Sequence, residues 1–134
     1  GRAWRATEYV AARRLCSGAV AAMVAAMREV DVLLLPTTAT LPPFTGEIDG
    51  RTGEQSFEQW GAAAYAYAPY TELFNITGMP AISLPLAFTG EGLPIGVQLA
   101  APLGADARLL SLAAWLELEM PWAPRLAGLR RRWA

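Results

Sequence analysis

One short segment constrains the fold of this chain more than any other. Residues Val32 to Leu35 are all apolar and are bounded by Asp31 and Pro36. An unbroken rather than alternating apolar run of this length is typical of a strand covered on both faces, as in a parallel sheet. A strand of this kind needs other elements packed above and below it. The segment therefore predicts an α/β protein in which the flanking sequence supplies both coverings.

Helix-compatible segments lie on both sides of this strand. Thr7 to Val30 is rich in alanine, arginine and methionine, and Thr7 is a candidate N-cap. Its larger apolar residues recur at intervals of three and four, which predicts a helix with one buried face. These residues are Cys16, Val20, Met23, Val24 and Met27. Ser56 to Phe74 predicts a second helix that breaks near Pro69 and ends by Gly78.

The remaining segments predict a loop, two strands and a last helix. Thr37 to Gly53 contains prolines and glycines and should form a long loop leaving the end of the first strand. Ala81 to Pro85 and Pro94 to Leu99 predict an antiparallel pair, because only a short turn connects them. Asp106 is a candidate N-cap for an amphipathic helix that closes the chain near Met120. The predicted element order is α-β-α-β-β-α.

The three predicted strands are too few to form a sheet that is covered on both faces. Such a sheet would leave a broad apolar face and open edges, which soluble proteins normally avoid. The chain also begins without methionine. We therefore expect residues 1–134 to be one segment of a single larger domain rather than an independent catalytic domain.

The basic residues of this chain limit its chemistry. It has no histidine and no lysine, so all eleven of its basic residues are arginine. Histidine and lysine are the usual partners that activate a serine or threonine, whereas arginine stays protonated. A single cysteine, Cys16, and scattered carboxylates give no cluster at metal-ligand spacing. We therefore predict no catalytic residue, no metal site and no cofactor within this chain.

Charge and hydropathy bear on partners and location. A net charge of −1 gives no general attraction to nucleic acid, and Arg130 to Arg132 should form a solvated tail. The apolar run from Ala19 to Met27 is shorter than the roughly 20 residues of a membrane span. With one cysteine and no recognisable signal peptide, the expected location is cytoplasmic. We expect neither nucleic acid nor membrane as a partner.

Two segments carry a family resemblance. Asn75 to Pro85 (NITGMPAISLP), followed by Gly92 to Leu99 (GLPIGVQL), resembles the C-terminal region of amidase-signature enzymes. Asp31 to Thr37 is similar to the strand that precedes this region in the family. The last helix, with Leu109 and Glu117, follows at the family's distance. The motifs are short, but their order and spacing are specific.

The resemblance covers most of the chain, from Glu8 to Leu118, and implies both a fold and a function. The fold implied is the C-terminal part of a mixed β-sheet with helices on both faces. The function implied is hydrolysis of a small-molecule carboxamide by a serine nucleophile, a second serine in a cis peptide linkage and a lysine base. In the family these groups lie in the N-terminal half, on a loop rich in glycine and serine that also supplies oxyanion donors. A C-terminal segment would accordingly contain no lysine.

Within the family, the segment Tyr70 to Gly78 is most similar to broad bacterial amidases. These include enzymes that act on cyclic amide oligomers or on aryl amides. Glutamine-dependent transamidation subunits tend to carry an acidic residue seven positions before the matching Asn75, where this chain has Ala68. That departure argues against a glutamine substrate.

Hydroxyl and amide side chains near the predicted strand ends are candidates for the substrate pocket. Thr37 and Thr38 directly follow the first strand, so their hydroxyls could line the ligand crevice that open α/β sheets commonly form there. They could equally bond their own turn backbone. Asn75 could bond a ligand or satisfy local backbone groups. Ser83 lies in the middle of a strand without an activating base, so it is interpreted as a structural hydroxyl.

Aromatic side chains are the other pocket candidates. Phe44, Tyr70 and Phe74 could form an apolar wall for the acyl or amine group of the substrate. The alternative for each is core packing. A different class of function also stays open: a non-catalytic module that pairs with another subunit through its apolar surface. A homo-oligomer is compatible with either function.

Overall fold

The computed structural model of the chain describes residues 4–48 and 56–133. Its helices are α1 (Ala6–Ala26, continued by a 3-10 turn at Met27–Glu29), α2 (Phe57–Tyr67), α3 (Glu72–Thr77), α4 (Asp106–Glu119) and α5 (Ala123–Trp133). Its strands are β1 (Leu33–Pro36), β2 (Ala81–Phe88) and β3 (Pro94–Ala100). The predicted order is confirmed, with the second helix divided and one helix added at the end.

The strands form one antiparallel sheet in the order β1-β3-β2. Leu33 and Ala81 lie opposite Ala100 from its two sides, which sets the register. The predicted β2-β3 antiparallel pair is therefore confirmed. β1 joins β3 in the antiparallel sense as well, so β1 has no parallel neighbour among the described strands. The outer strands β1 and β2 run in the same direction, because each is antiparallel to β3, which lies between them.

One face of the sheet is covered by α1 and α3. Met27, Phe74, Met79 and Ala100 form a buried cluster there, and Met23 and Val24 of α1 pack against it, as do Leu33 and Leu35 of β1. The C-terminal part of the predicted stripe, Met23, Val24 and Met27, therefore makes the expected contacts, whereas Cys16 and Val20 lie outside this cluster. Alternate residues of β1 reach this face because side chains alternate along a strand.

The opposite face is covered by α4. Leu84, Leu99, Ala101, Leu109 and Ala113 form the second buried cluster. Helices thus lie on both faces, as the unbroken apolar strands predicted. The covering does not extend to all of β1, because Leu34 on this face is 64% exposed.

The predicted break in the second helix is confirmed. Ser56 caps α2, since its hydroxyl accepts from the Gln59 N–H at 3.2 Å and the Gln59 side chain accepts from the Ser56 N–H at 2.9 Å. Residues 68–71 separate α2 from α3, and Gly78 ends α3 at φ 69°. That left-handed conformation favours glycine and turns the chain toward β2.

Two predicted N-caps were wrong. α1 begins at Ala6 after Arg5, whose N–H donates to Glu8 Oε2 at 2.6 Å, so Thr7 lies inside the first turn. α4 begins at Asp106 itself, after Ala105. In both helices a carboxylate still lies in the first turn, where the helix dipole favours negative charge.

The chain does not close with α4. Ala123–Trp133 forms α5, so the backbone of Arg130 to Arg132 is helical rather than the predicted tail. Pro124 is compatible with this helix, because proline is tolerated in the first turn, which is where Pro124 lies. The Arg125 guanidinium lies 5.0 Å from the centre of the Phe88 ring and ties α5 to the end of β2.

The first helix also bears on the membrane prediction. By length and composition, Ala6–Glu29 is a helix that could cross a membrane, with a mean hydropathy of 1.4 over its most apolar window. The run from Ala19 to Met27 is only part of this helix, and the flanking alanine-rich turns add to its apolar length. Mostly buried core helices meet the same criterion, whereas only 6% of this window is buried in the described structure, where Met23 and Val24 pack against the buried cluster.

Candidate functional site

Thr37 lies where β1 ends and joins the strands together. Its N–H donates to the Gly96 carbonyl at 2.9 Å, which extends the β1-β3 pairing by one residue. Its Oγ1 lies 2.6 Å from Ser83 Oγ on β2, and either hydroxyl can be the donor. The side chain of Thr37 therefore reaches across β3 to β2. This hydroxyl pair is the polar centre of the candidate site.

Gly96 makes this arrangement possible. A Cβ at position 96 would lie 2.7 Å from Thr37 Oγ1, 2.9 Å from Thr37 Cβ and 2.9 Å from Ser83 Oγ. Real Cβ atoms essentially never approach other atoms within 3.0 Å. The central strand must therefore carry glycine here for the two hydroxyls to meet over its backbone.

Thr38 behaves differently from its neighbour. Its Oγ1 donates to the Thr40 carbonyl at 2.9 Å, a turn bond within its own loop. For Thr38 the backbone-bonding alternative describes the contact, whereas the Thr37 hydroxyl bonds a distant strand. The predicted loop from Thr37 continues without helix or strand through residue 48, and residues 49–53 lie outside the described part.

A cavity of about 590 Å³ opens beside these residues. Its walls are the end of β1 with the start of the loop, the first residues of β3, and Tyr67 at the end of α2. The lining residues are Pro36, Thr37, Thr38, Ala39, Thr40, Leu41, Pro42, Tyr67, Pro94, Ile95 and Gly96. The Ala39 N–H donates to the Tyr67 carbonyl at 2.8 Å and so fixes the loop against the end of α2. Both threonines that the sequence analysis proposed as pocket residues line this cavity.

The other proposed pocket residues lie elsewhere in the described structure. Phe74 is 4% exposed and belongs to the buried cluster beneath α1, as its core-packing alternative stated. Phe44 is 84% exposed, and its N–H donates to Glu47 Oε2 at 2.9 Å. Asn75 is exposed on α3, and Tyr70 is half-buried in the segment between α2 and α3. These residues do not join Thr37 and Thr38 around the cavity, so a substrate contact for them stays a prediction.

Gln98 is a polar residue that the sequence analysis did not single out. It is 4% exposed in the middle of β3, opposite Leu35 and Ser83, and its Nε2 donates to the Tyr70 carbonyl at 3.4 Å. This bond links the sheet to the segment between α2 and α3. An amide side chain in an otherwise apolar central strand was the available signal, because buried polar groups require a hydrogen-bond partner.

The geometry gives these hydroxyls a binding or structural role. Ser83 Oγ bonds Thr37 Oγ1, and the chain contains no histidine or lysine to take its proton. In the part of the chain that the structure describes, no three His, Cys, Asp or Glu side chains lie together as a metal site would need. The site can position a ligand at the end of the sheet, but its own groups do not form a conventional nucleophile and base.

Known proteins share this arrangement of elements. The family model described as Amidase matches residues 3–110. AmiA2 of Mycobacterium bovis is 44% identical over 96 residues, which cover 72% of this chain and 19% of that protein. The 6-aminohexanoate-cyclic-dimer hydrolase of Paenarthrobacter ureafaciens is 38% identical over 98 residues, covering 71% of this chain and 20% of the hydrolase.

Solved structures agree with the sequence relatives. A crystal structure of an amidase superposes with a TM-score of 0.71 at 30% identity, covering 90% of this chain and 26% of that one. A structure of 6-aminohexanoate cyclic dimer hydrolase gives a TM-score of 0.61 at 38% identity. The chain thus spans about a fifth of the length of the curated relatives that it matches. The resemblance noted in its sequence is confirmed, and the chain belongs to the amidase family.

Proposed function

We propose that this chain is the C-terminal segment of an amidase that hydrolyses a non-peptide carboxamide to a carboxylate and an amine or ammonia. The observation that carries the proposal is the family match, which extends over residues 3–110 in a chain without lysine. The role of the chain would be to complete the central sheet and to provide one wall of the substrate pocket at the end of β1.

The chemistry in this proposal belongs to a preceding segment of the same polypeptide. There a serine attacks the amide carbonyl, a second serine and a lysine transfer the proton to the departing amine, and water then releases the acyl group as a carboxylate. The curated relatives support this division, because the matched region is only 19% of AmiA2 and 20% of the cyclic-dimer hydrolase. The name of the latter makes cyclic amides, together with aryl amides, the first substrates to test.

The competing proposal is a non-catalytic module that pairs with another subunit. Large apolar side chains on and beside the first turns of α1 favour it, because Trp4, Tyr9 and Leu15 are mostly exposed. The same surface fits a contact with a preceding segment of an amidase domain. Cytoplasmic location and a homo-oligomeric state are further proposals that accompany the amidase function.

The preceding coding sequence provides the test. It should encode a lysine and a loop rich in glycine and serine, and the longer protein should hydrolyse an aryl amide. Replacing that lysine with alanine should lower kcat by about 10²- to 10⁴-fold, the usual contribution of a positioned proton-transfer group.

Arg108 offers a matched control within this chain. Its guanidinium pairs with Asp31 at 3.1 Å on the surface, and both side chains are more than half exposed. Arg108→Gln should leave the activity of the longer protein within about twofold, since exposed ion pairs contribute little. A start codon at the beginning of this chain, or a longer protein inactive toward both aryl and cyclic amides, would contradict the proposal.

A further inference from the structure

We propose that the cavity at the end of β1 binds an uncharged part of the amide substrate and disfavours carboxylate and ammonium groups. This proposal rests on the amidase function for its biological meaning, but the binding preference follows from the cavity itself. It assigns the substrate class that this wall of the pocket selects.

The size of the cavity suits a small organic ligand. Its volume of about 590 Å³ lies within the range of about 300 to 1,000 Å³ that is usual for ligand pockets. A second hollow, of about 680 Å³, lies on the surface of α1 against Val10, Arg14 and Leu15. It lies on one face of a single helix, whereas the β1 cavity is lined by residues of the loop, α2 and β3 together.

The chemistry of the lining determines the charge preference. Among the residues that the structure describes, the cavity is lined by aliphatic side chains, prolines, threonines, Tyr67 and Gly96, and by no Asp, Glu or Arg. An ionised group entering the cavity would lose water without gaining an opposite charge, which is costly. A neutral amide has a weaker hydration to lose, and the threonine and tyrosine hydroxyls are neutral hydrogen-bonding groups.

The walls are fixed by hydrogen bonds that span separate elements. Thr37 is bonded to Gly96 through its backbone and to Ser83 through its side chain. The Ala39 N–H bonds the Tyr67 carbonyl across to α2. These bonds hold the wall in place before a ligand arrives, which reduces the ordering cost of binding.

Three probes of equal chain length test the preference on the full 134-residue chain. Hexanamide is neutral, whereas hexanoate and hexylammonium are ionised at pH 7. Titration followed by NMR should show hexanamide shifting the backbone amides of Thr38, Ala39 and Gly96 saturably. Each ion should bind at least about tenfold more weakly. Equal binding of either ion, or hexanamide shifts that map to α1 instead, would overturn the proposal.

A charge placed in the wall gives a second test. Ile95→Lys should improve hexanoate binding relative to hexanamide by at least about tenfold, because the ion gains a partner. Ile95→Met, which keeps the wall neutral, should retain the original ranking. If Ile95→Lys does not fold, Leu41→Lys on the exposed side of the cavity provides the same charge. An unchanged ranking in a folded lysine variant contradicts the proposal.

These binding measurements are independent of hydrolysis. An inactive longer protein with normal hexanamide selectivity in this chain would reject the amidase function and keep the cavity assignment. An active longer protein whose isolated segment binds all three probes equally would keep the amidase function and reject the cavity assignment.

Discussion

Replacing Phe74 with alanine is expected to lower the free energy of unfolding by about 3–5 kcal/mol. The ring is 4% exposed and packs with Met27, Met79 and Ala100 between α1 and the sheet. Removing it leaves a cavity between α1, α3 and the sheet. The loss is a large part of the roughly 5–15 kcal/mol of stability typical of a domain.

Phe44→Ala is the matched control, because it removes the same side chain from a position that is 84% exposed. It should change the unfolding free energy by no more than about 0.5 kcal/mol. Urea denaturation of both variants, followed by circular dichroism, gives the comparison. Equal losses for the two variants would show that Phe74 does not have the buried position described.

Gly96→Ala is expected to destabilise the chain by about 1–3 kcal/mol through overpacking. The new Cβ would approach Thr37 Oγ1 to 2.7 Å and Ser83 Oγ to 2.9 Å, so the hydroxyl pair must separate or the strands must shift. The smallest possible side chain thus disturbs both stability and the wall of the cavity. Hexanamide binding should weaken in the same variant.

Gly18→Ala provides the control for this substitution. Gly18 lies inside α1 with nothing within 4 Å of an added Cβ, so alanine there should stabilise the chain by about 0.5–1 kcal/mol. The two variants should therefore shift the urea midpoint in opposite directions. A Gly96→Ala protein as stable as the wild type would mean that the hydroxyl pair does not lie over Gly96.

Local patterns predicted the elements of this fold well. The stripe on α1, the break before α3 and the turn between β2 and β3 all depend on residues close together in the chain. Each of these elements is determined by residues that are neighbours in the sequence, so hydrophobic periodicity and turn residues are enough to identify it. The same reasoning failed at the caps of α1 and α4, because a capping residue is selected by backbone geometry at single-residue precision.

Features that depend on distant residues were harder to predict. The Thr37-Ser83 hydrogen bond joins residues 46 positions apart, and it forms only because β3 inserts between β1 and β2. The hydrogen bond from Gln98 Nε2 to the Tyr70 carbonyl depends on the same strand order. A sequence pattern shows that such groups need partners but does not say which ones. Phe74 likewise could not be assigned to core or pocket before its packing against α1 was known.

The central claim is that the reacting groups of the proposed amidase lie outside this chain, which contributes a wall of the substrate pocket. An assay of amide hydrolysis by the isolated chain tests that claim most directly. Purified chain of verified mass should release no product from a simple aryl amide above the buffer rate, because it contains neither histidine nor lysine to activate Ser83 or any other hydroxyl. Measurable turnover that co-purifies with the 134-residue chain and is abolished by Ser83→Ala would contradict that claim.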